Sequence, residues 1–442
     1  MRLVSMVKTS TAWWLVFLTF LFGMTEKNFA NQHPANFSSH RLIWLDIQSL
    51  GTEKSVVQPE WAASEGTIVS STLLRSENMA LLEALGTAGD LWITGKWKDT
   101  SGWKPLEQLR EKMKASAKEI FLIDISKQLV SGNSSAWARD WSPLIAETLD
   151  QKSRVLVDFS YLPERPLDDD SSQALKKSLD ATLVEIPAKW EGGNFMINGK
   201  RQCVISSKGI GQDLSQLSSD PKQLLRLPLF PALRKYVGCK SVAIVPPMPF
   251  ENTGHIDMWA KFLNDETIAV NELSEQTIEL TPPETKKMAD SIRNYLEERA
   301  KEFVAAGWKV ERIPQPSPIF SYWIDDDSEG DRRTLVIRSY TNSLYLNRSV
   351  FIPRYEKLPE SYTLARGNIG INTEEFTMYD HPLTREYPDA SLHNAYESKV
   401  RDVYRKYGFE DIFIISDNLA VLEGSAHCAT MQVPIRGTNP KQ

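Results

Sequence analysis

Short apolar runs alternate with longer amphipathic stretches along most of this 442-residue chain, and this alternation limits the possible folds more than any other feature. The apolar runs have the length and composition of buried strands and occupy residues 68–72, 120–125, 155–159, 203–206, 242–245, 267–270, 334–337 and 412–415. Amphipathic segments of helical length lie between several of them, at residues 105–116, 285–306 and 395–407. Strands that alternate with helices in this way predict an α/β fold.

A loosely repeated unit is superimposed on this alternation. Turn residues, a short strand and a second turn recur at residues 191–207, 254–272, 340–353 and 417–434. Spaced units of this kind indicate a pseudo-repeated architecture. Because no low-complexity linker divides the chain, we expect one catalytic domain at residues 58–436, preceded by a linker and extension at residues 31–57.

The first 30 residues have the pattern of an export signal. Arg2 and Lys8 supply a positive start, residues 12–24 are mainly apolar, and Ala30 is a small residue suited to cleavage. The apolar stretch is shorter than the roughly 20 residues that a membrane span needs. We therefore expect residues 1–30 to be removed and the protein to be secreted or periplasmic. A retained N-terminal membrane anchor is the alternative.

Charge and cysteine content narrow the choice of partners. The chain carries 51 basic and 57 acidic residues without a long run of one sign, which argues against nucleic acid as the main partner. Three cysteines are too few for a disulfide scaffold, and an odd number leaves at least one thiol unpaired within the chain. Cys203 and Cys239 are either a disulfide or two small buried hydrophobic residues. The remaining cysteine is Cys428.

Four segments combine ionisable residues with turn residues at the ends of apolar strands, where a scaffold can hold side chains at a cleft. They are WARDWSP at 137–143, WEGGN at 190–194, TGHIDMWAKF at 253–262 and GSAHCATMQVP at 424–434. Together these segments supply a thiol, histidines and three carboxylates. This combination is suited to nucleophilic chemistry on a cation.

A guanidinium group is the cation that these residue types fit. It is planar, stays protonated near neutral pH and carries five N–H donors, so carboxylates must hold it on more than one edge. Asp140 and Asp257 can each accept a bidentate pair of hydrogen bonds. His255 would point the same way as Asp257 in an extended segment and could move the protons. Glu191 is the candidate that holds His255 in the required tautomer.

Cys428 is the candidate nucleophile, because a thiolate attacks strongly and a bound cation lowers the pKa of a nearby thiol. Attack at the guanidinium carbon would displace ammonia, and hydrolysis of the adduct would give a ureido product. This scheme requires no metal and no organic cofactor. It predicts a hydrolase that acts on carbon–nitrogen bonds of linear amidines.

The same segments, in the same order, resemble the signature segments of the agmatine deiminase and bacterial peptidyl-arginine deiminase family, within the pentein guanidine-modifying superfamily. Residues 58–71 (QPEWAASEGTIVSS) resemble its opening strand, and residues 339–355 (SYTNSLYLNRSVFIPRY) resemble its late β segment. The likeness covers roughly residues 58–434. It implies a pentein fold, a five-bladed α/β propeller of ββαβ units around a central active site.

The resemblance also implies residue roles. It gives the five residues above the same functions as the chemical argument, and it adds Trp137 as a lining residue of the pocket and Asn342 near the substrate. Members that accept C-terminal arginine need a cation for its carboxylate, and Arg165 is the candidate here. The substrate would be a small guanidinium compound or an arginine-containing peptide.

The HIDMWAKF segment resembles the peptidyl-arginine type more closely, since agmatine deiminases have HVDN at the corresponding position. The export signal favours the same type. An agmatine deiminase that makes N-carbamoylputrescine is the main alternative. An amidinotransferase, a cysteine peptidase and a non-catalytic exported binding protein are the others.

Four neighbouring residues are expected to have supporting roles. We expect Trp259 and Phe262 to belong to the core and Arg139 to brace the loop that carries Asp140. His427 is expected to be structural or to line the pocket, since the reaction requires only one histidine.

Overall fold

The computed structural model describes residues 41–74, 78–95, 97, 104–125, 135–161, 168, 171–210, 221–323, 332–358, 361–365, 373–377 and 386–437. The expected export signal at residues 1–30 and the candidate Arg165 lie outside the described residues. Across the described ranges, no helix is both long and apolar enough to cross a membrane.

The described chain contains both strands and helices throughout. The strands are β1 (Ile43–Asp46), β2 (Ser55–Val57), β3 (Ser64–Ser70), β4 (Asp90–Gly95), β5 (Ile120–Asp124), β6 (Leu144–Thr148), β7 (Arg154–Ser160), β8 (Ala181–Lys189), β9 (Phe195–Ile197), β10 (Gln202–Ser206), β11 (Ser241–Val245), β12 (Ala260–Phe262), β13 (Thr267–Glu272), β14 (Lys309–Pro314), β15 (Ile319–Trp323), β16 (Arg332–Val336), β17 (Leu344–Leu346), β18 (Ser349–Arg354), β19 (Ser361–Ala365), β20 (Thr373–Thr377), β21 (Glu410–Ile415) and β22 (Thr430–Pro434). The α-helices are α1 (Met79–Ala88), α2 (Lys104–Met113), α3 (Ala138–Trp141), α4 (Ser171–Ser178), α5 (Pro221–Leu224), α6 (Leu229–Ala232), α7 (Glu275–Leu280), α8 (Pro283–Ala305), α9 (His393–Lys406) and α10 (Asp417–Ala420). The α/β class predicted from the sequence is confirmed.

Five mixed sheets have the same internal plan. Their strand orders are β22-β3-β4-β5, β2-β6-β7-β8, β1-β11-β10-β9, β12-β13-β14 and β17-β18-β21. In each sheet, one strand pairs antiparallel with a neighbour that in turn pairs parallel with the next strand. Two hairpins, β15-β16 and β19-β20, complete the described strands. The loose repeat in the sequence corresponds to this shared plan.

Helices cross over between the parallel strands, and α8 shows why the sequence forms them. Pro283 occupies the first helical position, where a missing N–H costs nothing. Ile292, Leu296 and Phe303 lie on one face and are fully buried against the sheet that contains β13 and β14. The helix ends before Gly307, whose φ of +96° favours glycine. The chain can then return as β14, parallel to β13.

The strands and helices predicted from apolar runs are present. The run at residues 68–72 is the one displaced strand, because β3 begins at Ser64 and ends at Ser70. The Ser70 side chain accepts a hydrogen bond from the backbone N–H of Thr72 and starts a 3-10 turn there. The other predicted strands agree with the observed bounds within two residues.

Cys203 and Cys239 form a disulfide, so they are not two separate buried cysteines, the alternative that the sequence left open. Cys203 belongs to β10, and Cys239 comes just before β11, the parallel neighbour of β10. The bond therefore joins two adjacent strands of one sheet. Cys428 is left as the free thiol of the chain, and it is buried.

Candidate active site

Each of the five mixed sheets contributes one candidate site residue from the loop that leads into it. The residue comes two to four positions before an antiparallel strand of the sheet: Asp140 before β6, Glu191 before β9, Asp257 before β12, Asn342 before β17 and Cys428 before β22. Loops at one end of several sheets can meet although they are distant in sequence. The contacts below show that these five loops do meet.

His255 lies between two carboxylates. Its Nε2 is 2.8 Å from Oε2 of Glu191, and its Nδ1 is 3.5 Å from Oδ1 of Asp140. The imidazole is 1% exposed, so these carboxylates act on it with little screening by water. The hydrogen bond to Glu191 is the one expected from the sequence.

Two glycines permit this close arrangement. A Cβ atom on Gly193 would lie 2.4 Å from Nδ1 of His255, and one on Gly192 would lie 2.1 Å from the carbonyl oxygen of Arg139. Any larger residue at either position would displace the ring of His255 or the loop that carries Asp140. The EGGN segment therefore provides a carboxylate and the space that the histidine occupies.

Cys428 is in contact with Asn342, Asp257 and His255. The Asn342 side-chain amide donates to Sγ at 3.1 Å, and its carbonyl oxygen accepts from the backbone N–H of Cys428 at 3.3 Å. The thiol is 3.5 Å from Oδ2 of Asp257. His255 lies close enough for its charge to counteract part of the rise in the pKa of the thiol. Asn342, expected near the substrate, thus orients the candidate nucleophile.

Each of the two aspartates has one carboxylate oxygen that accepts no hydrogen bond from the described part of the chain. Among the residues that the structure describes, Oδ1 of Asp140 and Oδ1 of Asp257 have no hydrogen-bond partner, although both side chains are buried. Leaving a buried carboxylate oxygen unsatisfied costs free energy, about 1–3 kcal/mol or more for a charged group. Oxygens of this kind are suited to accept donors from a bound cation.

The cluster carries more negative than positive charge, because three carboxylates surround one imidazole. Burial, together with the charges of Glu191 and Asp257, raises the pKa of Asp140 to about 7 despite the opposing charge of His255. Burial likewise raises the pKa of Cys428 to about 12, with the charge of Asp257 adding to the effect. A cation bound between the aspartates would lower both pKa values.

Burial alone would lower the pKa of His255, but Asp140, the Cys428 hydrogen bond and Glu191 together raise it well above its ordinary value. The imidazole is therefore protonated near neutral pH. The pKa of Glu191 is lowered, because the bond and the charge of His255 outweigh the effect of burial. Glu191 and His255 form an ion pair that can supply a proton to a leaving group.

Trp137 is half-buried at the edge of the site. It packs so closely on Gly424 that a Cβ atom there would lie 2.5 Å from its ring. Trp137 thus lies between the loops of Asp140 and Cys428, which agrees with a lining role. Trp259 and Phe262 are buried in the core, as predicted.

Arg139 braces the site loops, as predicted. Its backbone N–H donates to the carbonyl oxygen of Cys428 at 3.0 Å, and its guanidinium donates to the side-chain oxygen of Gln432 at 2.5 Å. The first of these bonds ties the loop of Asp140 directly to that of the thiol.

A second layer of charged residues lies behind Asp257, and we call Glu60, Arg139, Lys261 and His427 the support network. His427 lies 2.6 Å from Oδ2 of Asp257 through Nδ1 and 2.6 Å from Oε1 of Glu60 through Nε2. Glu60 also binds Lys261 at 2.5 Å and lies 3.4 Å from Arg139.

Sequence reasoning missed Glu60 and Lys261 as site residues. Glu60 lies within the QPEWAASEG segment and Lys261 within HIDMWAKF, yet neither has a local feature that separates it from a surface charge. The contact between Glu60 and His427 joins residues 367 positions apart. Only the fold brings them together.

A mixed α/β fold that brings a thiol, an imidazole and carboxylates together is the arrangement expected of a guanidine-hydrolysing deiminase. The model of the family of Porphyromonas-type peptidyl-arginine deiminases matches residues 104–365, which is more than half of the chain. The chain therefore belongs to that family.

Solved structures share the fold. Agmatine deiminase of C. jejuni is 16% identical, with 92% of this chain and 100% of that chain covered and a TM-score of 0.57. Agmatine deiminase of Enterococcus faecalis is 14% identical, with 87% and 98% covered and a TM-score of 0.60. At these identities the likeness concerns the fold alone.

Proposed function

We propose that this protein hydrolyses the guanidinium group of an arginine-like substrate to a ureido group and ammonia through a covalent adduct on Cys428. The family to which the chain belongs supports peptidyl-arginine as the substrate class. Asp140 and Asp257 bind the guanidinium, His255 and Glu191 act as the acid–base pair, and Asn342 and Trp137 position the thiol and the substrate.

One observation carries this proposal: beside a free thiol, the Oδ1 atoms of two buried aspartates accept no hydrogen bond from the residues that the structure describes. A guanidinium has five N–H donors in one plane and can satisfy oxygens on two of its edges at once. The positive charge would also relieve the repulsion among the carboxylates, which raises the pKa of Asp140. A neutral amide substrate would leave both oxygens unsatisfied, which argues against a cysteine peptidase.

In the first step, the Cys428 thiolate adds to the central carbon of the guanidinium. The bound cation lowers the pKa of Cys428 from its raised value, and the thiol proton passes to water, from which it later converts the released ammonia to ammonium. His255 then donates a proton to one terminal nitrogen, the bond from that nitrogen to the central carbon breaks, and ammonia leaves. The product of this step is a thiouronium adduct on Cys428.

In the second step, water replaces the sulfur. His255, now neutral, takes a proton from water as the water oxygen adds to the same carbon. The carbon–sulfur bond then breaks, the electron pair and the remaining hydroxyl proton go to the sulfur of Cys428 to restore the thiol, and the neutral ureido product is released. The sum is one guanidinium and one water converted to one ureido group and one ammonium. Glu191 stabilises the imidazolium that appears in this step.

Three further assignments belong to the proposal. We propose that the five mixed sheets are the blades of a pentein propeller, because each of them delivers one site residue. We propose an exported protein, on the basis of the apolar stretch at residues 12–24. Arg165 stays a candidate contact for the carboxylate of a C-terminal arginine.

The experiment that tests the function supplies agmatine, free arginine and peptides with internal or C-terminal arginine to the purified protein. Ammonia and ureido product are measured without any added amine. Release of both from an arginine peptide supports the proposal, whereas turnover of agmatine alone would move the assignment to agmatine deiminase. A requirement for an acceptor amine would indicate an amidinotransferase. Absence of turnover with a folded protein would overturn the enzyme assignment in favour of a binding protein.

The variant Cys428→Ala tests the covalent mechanism. Loss of the nucleophile should lower kcat by at least about 10⁴-fold, because the remaining residues cannot form the covalent adduct. Mass spectrometry of the wild-type protein, quenched during turnover, should detect the adduct, and the variant should lack it. Full activity of Cys428→Ala would exclude the covalent route.

A further inference from the structure

The support network behind Asp257 has no part in the steps described above, yet Arg139, Lys261 and His427 are buried and all three contact the partly buried Glu60. His427 is 1% exposed, and both of its ring nitrogens face carboxylate oxygens at 2.6 Å. A histidine that only fills core space does not need two charged partners.

We propose that His427, held in place by Glu60, is a positioning residue that turns Asp257 so that its Oδ1 faces the guanidinium. The inference rests on the proposed function, since it concerns how one of the two substrate-binding aspartates is oriented.

The protonation of the network follows from its geometry. Burial would raise the pKa of Asp257, but the hydrogen bond from His427 and its charge lower it. The pKa of Glu60 is lowered well below its ordinary value, because His427, Lys261 and Arg139 together outweigh burial. Both carboxylates are therefore ionised and can only accept hydrogen bonds. Each ring nitrogen of His427 lies 2.6 Å from one of these carboxylates, so His427 bridges Asp257 and Glu60.

This bridge determines which oxygen of Asp257 is available. Oδ2 accepts from His427 and lies 3.5 Å from the thiol, whereas Oδ1 has no partner among the described residues. A hydrogen bond between charged groups contributes about 1.5–3 kcal/mol. Without the donor at Oδ2, that oxygen would need another partner, and the carboxylate would rotate away from the orientation in which Oδ1 is free for the substrate.

Glu60 links the bridge to the other site loops. It binds Lys261, which precedes Phe262 in β12, and it lies 3.4 Å from the guanidinium of Arg139, next to Asp140. Arg139 in turn binds the backbone of Cys428. The network therefore sets the spacing between Asp140, Asp257 and the thiol.

A positioning role of this kind predicts a specific kinetic effect. Asp257 binds the guanidinium both in the substrate complex and in the transition state. A misaligned carboxylate therefore weakens binding of the two states to a similar extent. KM should rise while kcat changes little. A structural role alone would lower the amount of folded protein and leave KM of the folded fraction unchanged.

Two variants separate the two ring nitrogens. In His427→Asn the amide nitrogen takes the place of Nδ1 and keeps the donor to Asp257, whereas in His427→Gln it takes the place of Nε2 and keeps only the donor to Glu60. We expect KM of His427→Asn to stay within about threefold of wild type, and KM of His427→Gln to rise about 10–100-fold. Equal KM values for the two variants, or the opposite order, would overturn the proposal.

A binding measurement separates failure of this inference from failure of the proposed function. Both substitutions are placed in the Cys428→Ala background, and the affinity for methylguanidinium is measured by calorimetry. Binding about tenfold weaker with His427→Gln than with His427→Asn supports the positioning role, and equal affinities contradict it. Absence of turnover by the wild-type protein would count against the proposed function alone.

Glu60→Gln provides a second test that does not depend on the folding of the His427 variants. The amide keeps the size of Glu60 but presents an N–H group where Lys261 and Arg139 need an acceptor. We expect KM to rise about 3–10-fold at nearly unchanged kcat, with urea unfolding as the check on stability. An unchanged KM in the folded variant would overturn the proposal.

Discussion

Two buried charged clusters in this molecule have similar residue types but opposite electrostatics. The first contains Asp140, Glu191, His255, Asp257 and Cys428 and is the candidate active site. The second, which we call the structural cluster, contains Ser317, Arg338, Tyr387, Asp389 and His393. Both contain at least one carboxylate and a histidine, and both have little exposed surface.

The difference lies in how the carboxylates are satisfied. In the structural cluster, Oδ1 of Asp389 accepts from Arg338 at 2.6 Å, and its Oδ2 accepts from the backbone of Ser317 at 2.7 Å. Arg338 also stacks on the ring of Tyr387 at 3.8 Å. Burial would raise the pKa of Asp389, but the charge of Arg338 lowers it. In the active site, burial raises the pKa of Asp140, and its Oδ1 has no hydrogen-bond partner among the described residues.

This contrast teaches how to distinguish a functional carboxylate from a structural one. A structural cluster contains its own cation, so its charges stabilise the fold. The candidate active site carries excess negative charge, with three carboxylates around one imidazolium, and leaves part of the stabilisation to a bound cation. The same substitution, aspartate to asparagine, should therefore have opposite effects on stability in the two places.

The largest expected effect is in the structural cluster. Asp389→Asn removes the charge that pairs with the fully buried Arg338 and leaves the guanidinium uncompensated. We expect the free energy of unfolding to fall by about 3–5 kcal/mol, measured by urea denaturation near pH 7. A fall below about 1 kcal/mol would mean that this cluster does not stabilise the fold in the way described.

The matched change in the active site is Asp140→Asn. A pKa raised from 3.8 to about 7 corresponds to an upper limit of about 4 kcal/mol of destabilisation by the charged form. We therefore expect this variant to be more stable than wild type at pH 8, by about 2 kcal/mol. The gain should be smaller at pH 5, because folded wild-type Asp140 is already protonated there.

Activity provides the second measurement on Asp140→Asn, and kcat/KM should fall at least about 100-fold. Loss of both stability and activity would contradict the comparison, because it would mean that the charge of Asp140 stabilises the fold.

The smallest expected effect is a pH dependence of kcat/KM in the wild-type protein. Asp140 is charged above a pH of about 7 and neutral below it, so its carboxylate binds the guanidinium more weakly as the pH falls. We expect kcat/KM to be about tenfold lower at pH 6 than on its plateau. At alkaline pH it should fall again, when His255 loses its proton from a raised pKa.

The substrate guanidinium stays protonated throughout this range, so both limbs report on the protein. The contribution of the structural cluster to stability should not change with pH between pH 5 and pH 8, because the pKa of Asp389 is lowered rather than raised. A profile that is flat between pH 5 and pH 8 would contradict the assignment of a raised pKa to Asp140.

The sequence predicted much of the site because its residues are carried in local segments with distinctive chemistry. Asp140, Glu191, His255, Asp257 and Cys428 each stand beside turn residues at the start of a strand, and the structure brings all five together. Their catalytic roles remain a proposal for the experiments above. The candidate Arg165 lies outside the described residues and is neither supported nor opposed.

Boundaries and supporting residues were less predictable. The start of β3 was missed because Ser64 and Glu65 give no apolar signal, although β3 lies between two paired strands. Short strands such as β9 and β12 owe their conformation to their neighbours rather than to their own composition. His427 was predicted to be structural or pocket-lining, and its contact with Glu60 could not be inferred from either segment.

The sequence alone determined the α/β class, because burial of alternating apolar runs depends mainly on local pattern. It also determined the kind of chemistry, since thiol, imidazole and carboxylate reactivity belongs to residue type. The tertiary structure decided which carboxylates keep an unused oxygen, which cysteines are bonded, and which charges support Asp257. These properties depend on distances between residues far apart in the chain, where burial makes each unpaired charge costly and each paired one stabilising.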